Sequence, residues 1–146
     1  MSIVRRVPDL LLELPGGDIT PLLAHVTGAV FINISPGVDA EQVPTRSGLT
    51  SIFGNRGPLV PLATWTPGEL GLQHGLGARA APWLADHGCP VPDEWYVAVD
   101  NPKRGLVVKT YQAPAKETLT WLVRASDLAC PLDAVLPWQA VVRSRT

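Results

Sequence analysis

The stretch that decides the fold is WYVAVDNPKRGLVVKTY, residues 95–111. Two runs rich in Val, Tyr and Trp, 95–100 and 105–111, flank the sequence NPKR at 101–104. β-branched and aromatic side chains favour pleated strands, and an Asn-Pro dipeptide is typical of a turn. The stretch therefore predicts a β-hairpin, in which two antiparallel strands are joined by a short loop.

A third run follows the hairpin at 118–124, where the sequence is TLTWLVR. In a strand, Leu119, Trp121 and Val123 lie on one face because side chains repeat with a period of two. So short a run can also be interpreted as a helix. The Thr, Trp and Val residues of the run favour the strand. Residues 95–124 are therefore predicted to form a three-stranded antiparallel meander.

Shorter elements are predicted on the N-terminal and C-terminal sides of this meander. The sequence ARAAPWLADH predicts a helix over 78–87, which Gly88 closes at its C-terminal end. Residues 67–77 contain four glycines and predict a loop, because glycine is a poor helix former. A turn of helix can begin at Thr20, where Pro21 occupies the first helical position. Short strands are predicted at 10–14, 29–35, 59–65 (at a sheet edge because of Pro61) and 139–143.

The composition agrees with many short elements. The chain has 146 residues, a length typical of one domain, here 1–146, and it contains 15 Pro and 13 Gly. Proline removes a backbone donor and fixes φ, so prolines at this density argue against a fold of long helices. We expect an α+β domain that is mainly antiparallel β, with one or two short helices.

The charge balance argues against nucleic acid as a partner. Lys and Arg number 12 and Asp and Glu 13, which gives a net charge of -1. Residues 19–38 carry no charged side chain, but Pro21, Gly28 and Pro36 favour buried elements of a soluble core over a membrane span. The N-terminal leucines are interrupted by Glu13 and do not form a signal-peptide core. We expect a location in the cytoplasm or within a soluble particle, neither secreted nor transmembrane.

Cys89, His87 and Asp93 are the candidates for catalysis. A cysteine near a histidine can supply a thiolate nucleophile. His87 and Cys89 lie at the C-terminal end of a predicted helix, where partial negative charge disfavours a thiolate. A helix-capping histidine and a structural cysteine are therefore the alternative interpretation.

Metal and cofactor motifs are missing from the sequence. No CxxC or HExxH is present, so we expect no metal site. The glycines at 75–80 match G-x-G-x-x-A, but no strand is predicted directly before them, so we expect no dinucleotide and no other cofactor. Whether Cys89 and Cys130 form a disulfide is left open, because their separation in space decides it.

A long polar segment at 36–57 predicts an ordered loop or arm that makes interactions. Its apolar residues lie between two arginines, and this composition is typical of a protein interface with an apolar centre and arginine at the rim. The candidate binding residues are Leu49, Ile52, Phe53, Arg46 and Arg56.

Three functions remain open on the sequence alone. Sparse and unfavourably spaced ionisable residues favour a non-enzymatic assembly subunit of a larger complex, such as a viral particle. Such a subunit acts through 36–57 and the basic chain ends, with a protein partner or a second copy of itself. The alternatives are a small thiol-dependent enzyme using Cys89 and a β domain that binds a small ligand between tryptophans. The sequence favours a non-enzyme without deciding the question. The tryptophans are Trp65, Trp83, Trp95, Trp121 and Trp138.

Overall fold

A computed structural model describes residues 8–39 and 59–144. Within these two ranges seven strands form one sheet in which every neighbouring pair is antiparallel, in the order β1-β7-β2-β3-β4-β6-β5. The last strand along the chain, β7, therefore lies between the first two. The strands are β1 (Leu10–Leu14), β2 (Ala29–Gly37), β3 (Leu62–Thr66), β4 (Glu69–Gln73), β5 (Tyr96–Asn101), β6 (Gly105–Lys109) and β7 (Leu136–Ser144).

Helices cover one face of this sheet. A 3-10 turn (Pro15–Gly17) leads into the short helix α1 (Thr20–Leu23), and α2 (Ala80–Asp86) precedes the β5–β6 hairpin. The longest helix, α3 (Ala115–Ala129), lies across β2, β3 and β4 and also contacts α1 and α2. No helix in the described ranges is long and apolar enough to cross a membrane.

The core lies between α3 and the alternate residues of the strands that point toward it. Ile32 and Ile34 of β2 are fully buried on this face, whereas Asn33 points to the other face and accepts a hydrogen bond from Thr64 Oγ1 at 2.8 Å. On α3 the buried residues recur at helical spacing. They therefore form one stripe along the helix, and this stripe packs against the sheet. These residues are Thr118, Leu119, Leu122, Ala125, Ser126 and Ala129.

A buried carboxylate fixes the start of α2. Asp100 on β5 accepts hydrogen bonds from the backbone N–H groups of Ala80 at 2.7 Å and Ala81 at 3.0 Å. Its side chain is only 4% exposed, and these first amides of a helix have no partner within the helix. The carboxylate therefore orients α2, and with it the turn at Gly88 that contacts α3.

The predicted α+β class with a mainly antiparallel sheet is confirmed, and so is the hairpin, now β5 and β6. The predicted third strand of the meander was wrong, because residues 118–124 lie within the helix α3. The seven-residue run hides the helical period, which only the longer window 115–129 shows. This helix has 15 residues, so the expectation that the helices would all be short was wrong as well.

Two further predictions between 59 and 77 were wrong. Residues 67–77 do not form a loop throughout, since β4 pairs with β3 through a tight turn that contains Gly68. The strand predicted at an edge because of Pro61 is the central strand β3, which begins at Leu62. Proline is tolerated there because it precedes the strand.

Candidate functional site

The outer side of α3 is flanked by two cavities that meet at Thr120 and Arg124. The helical period that buries Leu119 and Leu122 turns Thr120 and Arg124 toward solvent. Both exposed residues line both cavities. The two cavities are therefore adjacent parts of one surface, and they form the candidate functional site.

The first cavity, which we call the tryptophan groove, has a volume of about 550 Å³ and a mostly apolar wall. Segments that are distant in the sequence form it: the loop before β5, the loop before α3, and α3 itself. Concave apolar sites with few polar groups are where proteins commonly bind ligands. The lining residues are Pro92, Trp95, Pro114, Lys116, Glu117, Thr120, Trp121 and Arg124.

Two indole rings meet in the tryptophan groove. The centroids of Trp95 and Trp121 are 5.6 Å apart and their planes are 78° apart, an edge-to-face geometry that aromatic pairs prefer. Trp95 is 7% exposed, and Trp121 is half-buried. The indole N–H of Trp121 donates to the backbone oxygen of Pro90 at 3.0 Å, which fixes the ring and consumes its polar atom.

Two further polar side chains of the groove are also engaged within the chain. Arg124 Nη2 donates to the backbone oxygen of Gly88 at 2.8 Å, at the turn that ends α2. The hydroxyl of Thr120 donates to the backbone oxygen of Lys116 at 2.6 Å. The groove therefore presents carbon surface in its middle and charged side chains at its rim.

The second cavity, which we call the acidic cavity, has a volume of about 640 Å³. Three carboxylates and one guanidinium line it, so the local charge is negative. Asp18 Oδ1 accepts hydrogen bonds from the backbone N–H of Thr20 at 3.0 Å and from its hydroxyl at 2.7 Å, and these bonds lower the pKa of the carboxyl. The lining residues are Gly16, Gly17, Asp18, Ile19, Thr120, Val123, Arg124, Asp127, Asp133, Ala134 and Trp138.

The inner wall of the acidic cavity is formed by Trp138 of β7 and Gly17 of the 3-10 turn. Trp138 is 4% exposed, and its Nε1 has no hydrogen-bond partner in the described chain. A Cβ added to Gly17 would lie 3.3 Å from this Nε1 and 3.1 Å from Val123 Cγ1. Glycine at 17 therefore keeps the indole N–H uncovered.

The candidate thiol lines neither cavity. Cys89 is 2% exposed and lies in the apolar core, where burial raises the pKa of its thiol. The ring of His87 stacks on Trp83 at 3.9 Å between centroids, and its Nδ1 lies 2.7 Å from the backbone oxygen of Trp83. Asp93 is exposed, and none of Cys89, His87 and Asp93 lines a cavity described above.

Two questions about cysteines and metals have structural answers. Cys89 and Cys130 are both free thiols, so they do not form a disulfide with each other. In the described ranges no three His, Cys, Asp or Glu side chains are placed to share a metal ion. The three carboxylates of the acidic cavity are therefore not arranged as a common ligand set.

The predicted interface arm lies mostly outside the described residues. All five candidate binding residues fall within 40–58 and stay predictions: Leu49, Ile52, Phe53, Arg46 and Arg56. On the sequence alone all five tryptophans are equal candidates for binding a ligand. Only the fold shows that Trp95 and Trp121 meet. Their contact was not predicted, because Trp121 was expected in a strand and lies on the helix α3.

No known protein family, curated protein or solved structure matches this chain. The geometry and chemistry of the two cavities are therefore what bears on its function.

Proposed function

We propose that the protein is a non-enzymatic interaction module that binds an extended, proline-containing segment of a partner protein in the tryptophan groove. One observation carries the proposal: Trp95 and Trp121 meet edge to face in an open, mostly apolar groove, where the indole N–H of Trp121 is already bonded to a backbone oxygen. Grooves lined by aromatic rings are a recurring way of binding proline-rich segments.

Two polar groups of the groove, on Trp121 and Thr120, are already bonded to backbone oxygens, and this favours proline over a sugar as the ligand. A sugar needs donors and acceptors for its hydroxyl groups, whereas the indole N–H of Trp121 and the hydroxyl of Thr120 are bonded to backbone oxygens. A proline ring needs only apolar surface. A proline-containing segment also loses little conformational entropy on binding, because its backbone is already extended in the free state.

Binding without catalysis agrees with the side chains that line the groove. Its ionisable groups are Lys116, Glu117 and Arg124, all exposed, and no cysteine or histidine lines it. The thiol of Cys89 is buried elsewhere and its pKa is raised. The proposal keeps the protein partner expected from the sequence and places the contact at α3; the interaction arm at 36–57 stays a separate prediction.

Calorimetric titration with capped decaproline tests the proposal, with a Gly-Ser decapeptide as the negative probe. We expect decaproline to bind and Trp121→Ala to weaken it at least about tenfold, because buried aromatic anchors carry most of the energy at such contacts. Trp83→Ala is the matched control: this indole is also half-buried but stacks on His87 outside the groove. Thermal melts establish that both variants fold.

Three results would overturn the proposal. Decaproline does not bind, or it binds no better than the Gly-Ser peptide. Trp121→Ala and Trp83→Ala weaken binding equally. A neutral oligosaccharide such as cellotetraose binds at Trp121 while decaproline does not, in which case the groove recognises sugar.

A further inference from the structure

We infer that the acidic cavity is the second half of the same binding site and accepts an arginine or lysine side chain that adjoins the proline-containing stretch of the partner. This inference rests on the proposed function, since it assigns the residues next to a segment bound in the tryptophan groove. Its basis is the continuity of the two cavities, the charge of the second one, and an unused donor in its wall.

The two cavities are continuous along α3. Thr120 and Arg124, one helical turn apart, line both of them. We call these two side chains the ridge between the cavities. A peptide that crosses the ridge leaves an apolar surface and enters one rich in carboxylates. The change of surface predicts a change of residue type along the ligand.

The charge of the acidic cavity favours a cation. Asp18, Asp127 and Asp133 line it, against the single guanidinium of Arg124. Asp18 stays ionised because its Oδ1 accepts two hydrogen bonds from Thr20, and neither bond uses Oδ2. Since the carboxylates do not form a metal-binding group, a longer organic cation suits their spacing better than a compact ion.

Trp138 supplies the independent observation. Its indole N–H lines the cavity, has no partner in the described chain, and belongs to a side chain that is 96% buried, the complement of its 4% exposure. Tryptophan donates only, so an indole N–H that faces a cavity is available to an acceptor on a ligand. A peptide ligand can satisfy both features of the cavity. Its backbone carbonyl can accept from the indole N–H of Trp138, and its cationic side chain can pair with the carboxylates.

Arg124 adds direction to this arrangement. Its guanidinium is held at the ridge by the backbone oxygen of Gly88. A positive charge at this point repels a basic side chain placed over the tryptophan groove. On the other side the carboxylates of Asp127 and Asp133 outweigh this charge, so the basic residue of the ligand is directed there.

The test compares three capped peptides by calorimetry at low salt: heptaproline, heptaproline with two arginines at its N-terminus, and heptaproline with two arginines at its C-terminus. We expect one arginine peptide to bind about five- to tenfold more tightly than heptaproline, because exposed charge pairs each contribute modestly. The double variant Asp127→Asn/Asp133→Asn removes this advantage and leaves the affinity for heptaproline unchanged. Asp86→Asn/Asp93→Asn is the matched control, with two exposed carboxylates outside both cavities.

The outcomes separate the two proposals. If heptaproline binds in a Trp121-dependent way but neither arginine peptide binds more tightly, the inference fails and the proposed function stands. The inference also fails if Asp127→Asn/Asp133→Asn and the control double variant change the arginine advantage equally. If no peptide binds, the proposed function fails, and the inference fails with it. Binding of an arginine peptide that survives Trp121→Ala also contradicts the inference, because the two cavities are then not one site.

Discussion

Trp65 in the central strand donates its indole N–H to the hydroxyl oxygen of Thr118 on α3, across 3.0 Å in the buried layer between sheet and helix. The same hydroxyl donates to the backbone oxygen of Ala115 at 3.1 Å. These two bonds fix the rotation of α3 about its axis. That rotation turns Thr120, Trp121 and Arg124 outward, so a bond in the core positions the candidate site.

Thr118→Val is expected to destabilise the protein by about 1–3 kcal/mol, because it preserves shape and leaves a buried indole N–H without an acceptor. Urea unfolding measures the change. Thr120→Val, at an exposed position on the same helix, is the control and is expected to change stability by less than about 0.5 kcal/mol. Equal effects of the two substitutions would show that the Trp65 bond contributes nothing.

Gly105→Ala is expected to destabilise the protein far more than Gly28→Ala. Both glycines have a φ above +80°. A Cβ at 105 would lie 2.5 Å from the backbone oxygen of Leu72, whereas one at 28 would meet nothing within 4 Å. Gly28→Ala therefore costs only backbone strain, about 1 kcal/mol, while Gly105→Ala adds a clash between β4 and β6 and exceeds about 2 kcal/mol. Chemical unfolding of the two variants side by side checks this difference.

His74 is expected to make the protein less stable in mild acid. It is fully buried at the end of β4, its Nδ1 accepts from the backbone N–H of Leu76 at 3.2 Å, and its Nε2 has no partner among the residues that the structure describes. Burial lowers the pKa of His74 below the usual 6.5, although the charge of Asp100 opposes this shift. Below pH 6.5 the unfolded chain therefore binds more protons than the folded one, so stability is complete above this pH and falls as the pH decreases.

Urea unfolding at pH 7.5, 6.5 and 5.5 measures the His74 effect. His74→Asn is the informative variant, because its side-chain oxygen can still accept from the N–H of Leu76 while the group no longer titrates. We expect the variant to lose less stability than the native chain between pH 7.5 and 5.5. Parallel pH profiles for the two proteins would contradict the prediction.

Cys89 is expected to resist alkylation in the folded protein. Its thiol is buried and its pKa is raised, so the reactive thiolate is scarce and shielded. In a Cys130→Ser background, iodoacetamide at pH 7.5 should modify Cys89 about a hundredfold more slowly in the native state than in urea. Rapid native labelling followed by mass spectrometry would instead restore the thiol-dependent enzyme among the candidate functions.

The hairpin at β5 and β6 was predictable because its signals are local: β-rich runs on both sides of a turn sequence. The helix α3 was not recognised because TLTWLVR shows both periods, and the packing against β2, β3 and β4 decides between them. β4 was missed for a related reason. Its residues Leu70 and Leu72 are core side chains that alternate, but the neighbouring glycines concealed the pattern.

The candidate site could not be assembled from the sequence. Trp95 and Trp121 are both visible as tryptophans, but their contact depends on the docking of α3 beside the loop before β5. The acidic cavity joins Asp18 near the first strand with Asp133 near the last. Contacts over such separations follow from the strand order, which local patterns do not encode.

The position of β7 also governs the order in which the sheet can be completed. In the described structure β1 pairs only with β7, for example Leu10 with Val142, and β7 also supplies the second neighbour of β2. During synthesis β1 therefore acquires a partner only after β7 has left the ribosome. Such non-local pairing slows folding, and the leucine-rich first strand needs protection from other chains until β7 arrives.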